Sequence, residues 1–239
     1  MIISLKYSCC DNYAQIVNIL ENQLFKSNPH KVLNQRYQQM RSLVNCPSPN
    51  WGACSPFSIV TNSKDTLLAI PTNSFPGSSC CQQFDNLGHD LPYWIEVPGN
   101  EEQGRVMLVS QDPLRKNQKA GIITLSSPFG MHSIDYRGNR VMTQMVEFLL
   151  NKGYSVYLTD FNKLYGTYQN RQVTFNGMNQ QFANILNEEI RFWTPTKIIA
   201  VGKVALGKGR QQGINITGIS HPNARIPKAQ KFEELIKAL

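Results

Sequence analysis

Val106-Met107-Leu108-Val109-Ser110-Gln111-Asp112-Pro113 is the stretch on which the fold turns. An apolar run that stops at a Pro-containing turn reads as a strand followed by a loop. A second segment repeats the pattern: Ile216-Thr217-Gly218-Ile219-Ser220-His221-Pro222-Asn223. Each run delivers one proton-handling side chain, Asp112 or His221, to the strand's exit. Parallel sheets keep their sites there, beyond the carboxyl ends of the strands. An Asp and a His brought to such exits from distant points of the chain indicate an active site.

Working outward, the chain after Gly104 alternates regularly. Residues 140–151 carry Val141, Met142, Met145, Val146, Leu149 and Leu150 at helical spacing. Residues 154–159 read as a strand and 182–193 as a helix. Pro195 then introduces a strand over 197–201. A strand over 214–219 and a helix over 228–239 close the chain. Strands alternating with helices predict an α/β fold: a three-layer α/β/α sandwich with a short, mainly parallel sheet, spanning residues 102–239. Residues 1–101 read as an N-terminal extension packed on that core. Two helices are expected within 11–45, separated at Ser27-Asn28-Pro29-His30, because Pro29 disfavours helix before it. Beyond them, residues 45–100 are irregular, with short strand candidates at 57–61 and 66–70.

The 239 residues are 41% hydrophobic and 17% charged, which fits a folded chain rather than a disordered one. No apolar run approaches the roughly 20 residues needed to cross a bilayer, and the first residues lack a secretion signal. A cytoplasmic protein that does not enter membranes is expected. The net charge of +8 is uneven: residues 102–239 hold 18 Lys and Arg against 9 Asp and Glu, residues 1–101 hold 6 against 7. A basic half suits a polyanion, since neutralised phosphates release counterions on association; a solvated basic face with no partner is the plainer alternative. All six cysteines lie within the first 81 residues. Their spacing matches no zinc site, so free thiols are favoured over a cluster with His30 or His89.

Taken in order, these segments resemble the uracil-DNA glycosylase superfamily over about residues 102–239. Gln111-Asp112-Pro113 is similar to the family's first motif. Pro128-Phe129-Gly130 lies where members carry the aromatic that stacks on the extruded base. Residues 156–163, Val-Tyr-Leu-Thr-Asp-Phe-Asn-Lys, resemble the Val-Tyr-Ile-Thr-Asn-x-x-Lys stretch of the iron–sulfur branch. Residues 195–202 followed by Ala205 resemble the strand before the last motif, and His221-Pro222-Asn223 looks like that motif.

The resemblance implies a monofunctional hydrolase of N-glycosyl bonds acting on DNA, single- or double-stranded, without a cofactor or metal. Extruding the nucleotide costs a few kcal/mol of stacking and pairing, which Phe129 would partly recover. Asp112 would orient a water or stabilise the cationic sugar, and His221 would donate to the base O2 as negative charge gathers there. Gln111, Phe129 and Asp160 would bind the base. Pro113, Lys163, Asn223 and Arg225 would contact DNA. The chain is expected to be a monomer, with a protein partner possible for the N-terminal extension. The iron–sulfur branch needs four suitably placed cysteines; none lies beyond residue 81, so no cluster is expected.

Two positions depart from the family pattern. The recognition Asn is Asp160 here. An amide accepts from uracil N3–H and donates to O4, whereas an ionised carboxylate only accepts. Ionised, Asp160 would suit an amino group; protonated by burial, it would suit the carbonyl; with a shifted loop, Asn162 would take the role. Leu114 stands where some branches carry a Tyr that blocks thymine's methyl, so 5-substituted pyrimidines become candidates. Plainer readings make Asp112 and His221 structural turn residues and Phe129 a core aromatic. A non-catalytic DNA- or protein-binding module with this fold is the competing function. Gly202-Lys203-Val204-Ala205-Leu206-Gly207-Lys208-Gly209 also meets most of a phosphate-binding loop pattern, but lacks the hydroxyl after the lysine.

Overall fold

The computed structural model describes residues 6–7, 69–71, 86–90, 92–97, 101–112, 122–126, 137–168, 171–173 and 179–239. The expected helices within 11–45 and the strand at 57–61 lie outside these. The strands are β1 (Lys6–Tyr7), β2 (Ala69–Pro71), β3 (Asn86–Asp90), β4 (Tyr93–Glu96), β5 (Arg105–Ser110) and β6 (Ile122–Ser126). They continue with β7 (Ser155–Asp160), β8 (Leu164–Tyr168), β9 (Arg171–Val173), β10 (Lys197–Val201) and β11 (Thr217–Ile219). The helices are α1 (Arg137–Asn151), α2 (Asn179–Trp193), α3 (Lys203–Gln211) and α4 (Lys228–Ala238). Among the described residues, no helix is long and apolar enough to cross a membrane.

The protein is α/β, built on a mixed sheet with strand order β1-β4-β7-β5-β10-β11. Pairings β7–β5, β5–β10 and β10–β11 are parallel, while β4–β7 and β1–β4 are antiparallel. Strand β4 therefore carries a segment from before residue 102 into the same sheet as strands β5, β7, β10 and β11. A second sheet has the order β2-β6-β3-β8-β9; of its strands only β2 overlaps a strand candidate of the sequence, that at 66–70.

Burial explains the alternation. Val106, Leu108, Val156, Leu158, Ile199, Val201 and Ile219 form one apolar cluster with Val141, Met142, Met145, Val146, Leu149 and Leu150 of α1 and Leu235 of α4. Side chains of opposite parity point the other way, as pleating requires. There Trp94 stacks on Tyr157, its partner in the register, with ring centroids 5.7 Å apart. Trp193 of α2 packs on both, at 6.4 and 5.5 Å, with the Arg105 guanidinium 4.9 Å from the Trp193 ring centre. Such ring pairs add about 0.5–1.5 kcal/mol beyond the area they bury.

Helix ends place the next strands. After α1, Gly153 N–H donates to Leu150 O and Tyr154 N–H to Leu149 O, at 2.9 and 3.0 Å. This paired closure needs a left-handed residue, and Gly153 has φ 90°. The chain reverses there directly into β7.

Candidate active site at the carboxyl edge of the sheet

The register brings three of the expected residues to one edge. Ser110 lies opposite Asp160 in the β5–β7 pairing, and Ile219 opposite Val201 in the β10–β11 pairing. Backbone bonds extend the match past the strands: Phe161 N–H donates to Ser110 O and Asn162 N–H to Gln111 O, both at 2.9 Å. Asp112 and His221 thus leave the same edge on β5 and β11, separated only by β10. Two strand spacings amount to about 10 Å.

Asp112 and Gln111 are half-buried, and the Gln111 amide donates to Asp112 Oδ2 at 2.7 Å. Asp160 is fully buried. Neither of its side-chain oxygens has a hydrogen-bond partner of ordinary geometry among the described residues, although the nearby Ser110 hydroxyl favours its charged form. Burial, then the negative charges of Asp90 and Asp112, push its pKa well above the usual carboxylate range. Burial and the two neighbouring carboxylates thus favour the protonated, neutral form of Asp160. A neutral carboxyl offers one donor and one acceptor, the same pair that an amide side chain presents.

His221 sits exposed at the rim, with its ring against the backbone of Gly202. A Cβ on Gly202 would lie 3.4 Å from the His221 Cβ and 3.6 Å from Cδ2. Gly202 holds φ 99° and ψ 159°, a region open essentially to glycine. Desolvation and the positive charge of Lys231 lower the imidazole's pKa, so the ring is neutral. Its Nδ1 accepts the Asn223 backbone N–H at 3.1 Å, which leaves the proton on Nε2.

Helix α4 fastens this loop. Glu234 accepts the Ser220 backbone N–H at 2.7 Å and its hydroxyl at 3.2 Å, and buried Lys231 donates to the Pro222 carbonyl. Neither residue stands out in the sequence, because a charged helix face reads as solvated. Asn223 and Arg225 are exposed beside the loop. Pro113 and Phe129 lie outside the described residues.

Lys163 requires a correction. Expected on DNA, it is fully buried, and its ammonium is 2.8 Å from Asp90 Oδ2 and 2.9 Å from Glu189 Oε1. It also donates to Thr159 Oγ1. Every proton of the ammonium is used inside the protein, so none reaches a phosphate. Glu189 carried a visible signal: it falls on the apolar stripe of α2 with Phe182, Ile185 and Leu186, all buried. A carboxylate there demands a cation.

The phosphate-loop reading also fails. Residues 203–211 are helix rather than loop, and Lys208 lies in its last turn. Its Nζ instead donates to Asn162 Oδ1 at 2.7 Å and Asn179 Oδ1 at 3.1 Å, with the Phe161 ring centre 5.7 Å away. Asn162 is thereby committed to Lys208 through the oxygen that base recognition would use. The phenol of Tyr165, from β8, is raised in pKa by burial and by the charge of Asp112, so it also borders this carboxylate.

The chain matches no protein-family model, and no curated protein is significantly similar to it.

Proposed function

We propose that this chain is a DNA base-excision glycosylase, hydrolysing the N-glycosidic bond of an extruded deaminated or modified pyrimidine. One observation carries the reading: the buried carboxyl of Asp160, lacking hydrogen-bond partners of ordinary geometry among the described residues, lies beside Asp112 at the sheet edge from which His221 also emerges. A buried polar group without a partner costs about 1–3 kcal/mol, so it marks a place where a ligand supplies the bond.

The neutral Asp160 carboxyl would donate to a pyrimidine O4 and accept from N3–H, as the family's Asn does. It therefore favours 4-oxo pyrimidines such as uracil over cytosine. Asp112, ionised, would stabilise positive charge on the sugar and take a proton from the attacking water. The C1′–N1 bond breaks with its electrons passing to the base, whose O2 would accept a hydrogen bond from the Nε2–H of His221, and the proton that Asp112 takes from water would finally neutralise the base anion. Water then closes the C1′ centre, leaving an abasic sugar and a free base. Exposed Lys203, Arg225 and Lys228 beside the His221 loop would contact phosphates. The helices on the two faces of the sheet support a three-layer sandwich, and the basic charge supports DNA as partner, with a cytoplasmic monomer as the acting form.

The test uses oligonucleotides bearing uracil, 5-substituted uracil, hypoxanthine, xanthine or cytosine, scored by alkaline cleavage at the abasic site. Release of uracil, lost in Asp112→Asn and His221→Ala, supports the enzyme. DNA binding without release of any base supports the non-catalytic module instead.

A further inference from the structure

Asp160 ends β7, and Phe161, Asn162 and Lys163 join it to β8 in the other sheet. Phe161 N–H donates to Ser110 O, on the β5 side. Successive amides of a strand point to opposite edges, so the Asp160 N–H faces the β4 side. Strand β4, however, pairs with β7 only as far as Tyr93 opposite Leu158. Asp90 Oδ2 takes the Asp160 N–H instead, at 3.1 Å. The register explains how it arrives. Strands β3 and β8 pair as far as His89 opposite Leu164, and one step further Asp90 N–H donates to Lys163 O at 2.8 Å. The Lys163 ammonium returns to Asp90 Oδ2, also at 2.8 Å. Asp90 thus grips the connection at both ends. We propose that Asp90 is a positioning residue for Asp160: brought by β3 from before residue 102 and oriented by Lys163, it fixes the backbone that carries the Asp160 carboxyl.

The chemistry suits that task. Asp90, Asp160 and Lys163 are fully buried, so no water replaces a lost acceptor. An acceptor paired with an ammonium makes bonds roughly twice as strong as a neutral one. Glu189 sharpens the assignment. It meets Lys163 from α2 as Asp90 does from β3, at 2.9 Å. The Thr159 hydroxyl lies 3.0 Å from Asp90 Oδ2 and 2.9 Å from Glu189 Oε2, with one proton for the two. The lysine and the threonine are therefore shared between the carboxyls, whereas the Asp160 amide goes to Asp90. By this inference the site draws on the chain ahead of residues 102–239.

The kinetic consequence rests on the glycosylase reading; the bond itself is readable without activity. An amide proton held by a carboxylate resonates downfield of an unheld one. Amide spectra of wild type, Asp90→Ala, Asp90→Asn and Glu189→Gln test it, with Phe161 and Asn162 as references because β5 and the Gln111 carbonyl hold them. The Asp160 amide proton is expected to move upfield in Asp90→Ala, and less far in Asp90→Asn, which keeps a neutral oxygen. Glu189→Gln, which disturbs the same lysine, is expected to leave it in place. Where uracil release is measurable, kcat/KM should fall about tenfold or more in Asp90→Ala and be largely restored in Asp90→Asn. An Asp160 amide that moves no more than those of Phe161 and Asn162 in folded Asp90→Ala overturns the proposal, as does an equal displacement in Glu189→Gln. Should Asp90→Ala fail to fold, the Asn variant gives the answer by the same comparison. A displaced Asp160 amide in a chain that releases no base would reject the glycosylase reading and leave this one standing. Base release with the amide unmoved would do the reverse.

Discussion

Nδ1 of His221 accepts the backbone N–H of Asn223 at 3.1 Å, so the ring's position within its own loop sets its tautomer. An acceptor at Nδ1 must be unprotonated, and Nε2 then carries the hydrogen. Nitrogen-15 spectra at pH 7 are expected to show the Nε2–H tautomer. Protonating the ring would destroy that acceptor, and partial desolvation together with the Lys231 charge sets its pKa below the usual histidine value. Base release is therefore expected to be lost as pH falls through that value and to be retained above it until Asp160 ionises. His221→Ala should reduce the rate about 10²–10⁴-fold with DNA affinity little changed.

Gly202 tests the same loop from beneath. Any side chain there meets both a backbone conformation forbidden to L-residues and the His221 ring. Gly202→Ala is expected to cost about 1–3 kcal/mol of stability and to depress base release besides. Gly213 is the control: its φ is 73°, but a methyl placed on it would meet nothing within 4 Å. Gly213→Ala should lower the urea midpoint with base release unchanged. Equal activity losses in the two variants would disconnect Gly202 from the histidine.

Stability should fall as pH rises through the neutral range. Glu189 is pushed up to about 7 in the folded state, first by burial, from an ordinary value near 4.5. Asp160 is raised as well. A carboxyl that holds its proton more tightly when folded stabilises the fold at low pH. That contribution declines from the unfolded value upward and is gone above the folded one. For Glu189 the window is about pH 4.5 to 7. Urea denaturation across that range is expected to show the decline. Asp160→Asn, unable to ionise, should flatten the part due to Asp160, raise stability more at pH 8 than at pH 5, and raise uracil release most at the higher pH.

The parts of the fold that depend on local periodicity were legible in the sequence. The α1 stripe from Val141 to Leu150 and the β10 strand over 197–201 could be read because burial imposes a repeat on them. The β8–β9 hairpin could not, since residues such as Leu164-Tyr165-Gly166-Thr167-Tyr168 lack alternation and owe their strand form to pairing with β3 and β9. Helix α3 was hidden by Gly202, Gly207 and Gly209, whose density reads as a loop; packing forces helix, with Gly209 buried against Ile216. At the site, Asp112 and His221 were visible as strand exits. The role of Lys163 was misassigned because a lysine's partners lie far off in sequence: Asp90 and Glu189 meet it only through the fold.

Lys163 and Arg225 should separate stability from DNA contact. Removing the Lys163 ammonium leaves Asp90 and Glu189 buried without their cation. Breaking such a network from one side typically costs about 3–5 kcal/mol, and Lys163→Met is expected to fall in that range by urea denaturation. Pairing it with Glu189→Gln removes one of the stranded charges and should recover part of the loss. Arg225 is exposed, at the rim of the His221 loop. Arg225→Ala should leave stability within about 0.5 kcal/mol, while reducing the slope of log affinity against log salt by about 1. Lys163→Met, measured where it remains folded, should leave that slope unchanged. A slope reduced by Lys163→Met and not by Arg225→Ala would place the phosphate contacts on a face other than the His221 loop.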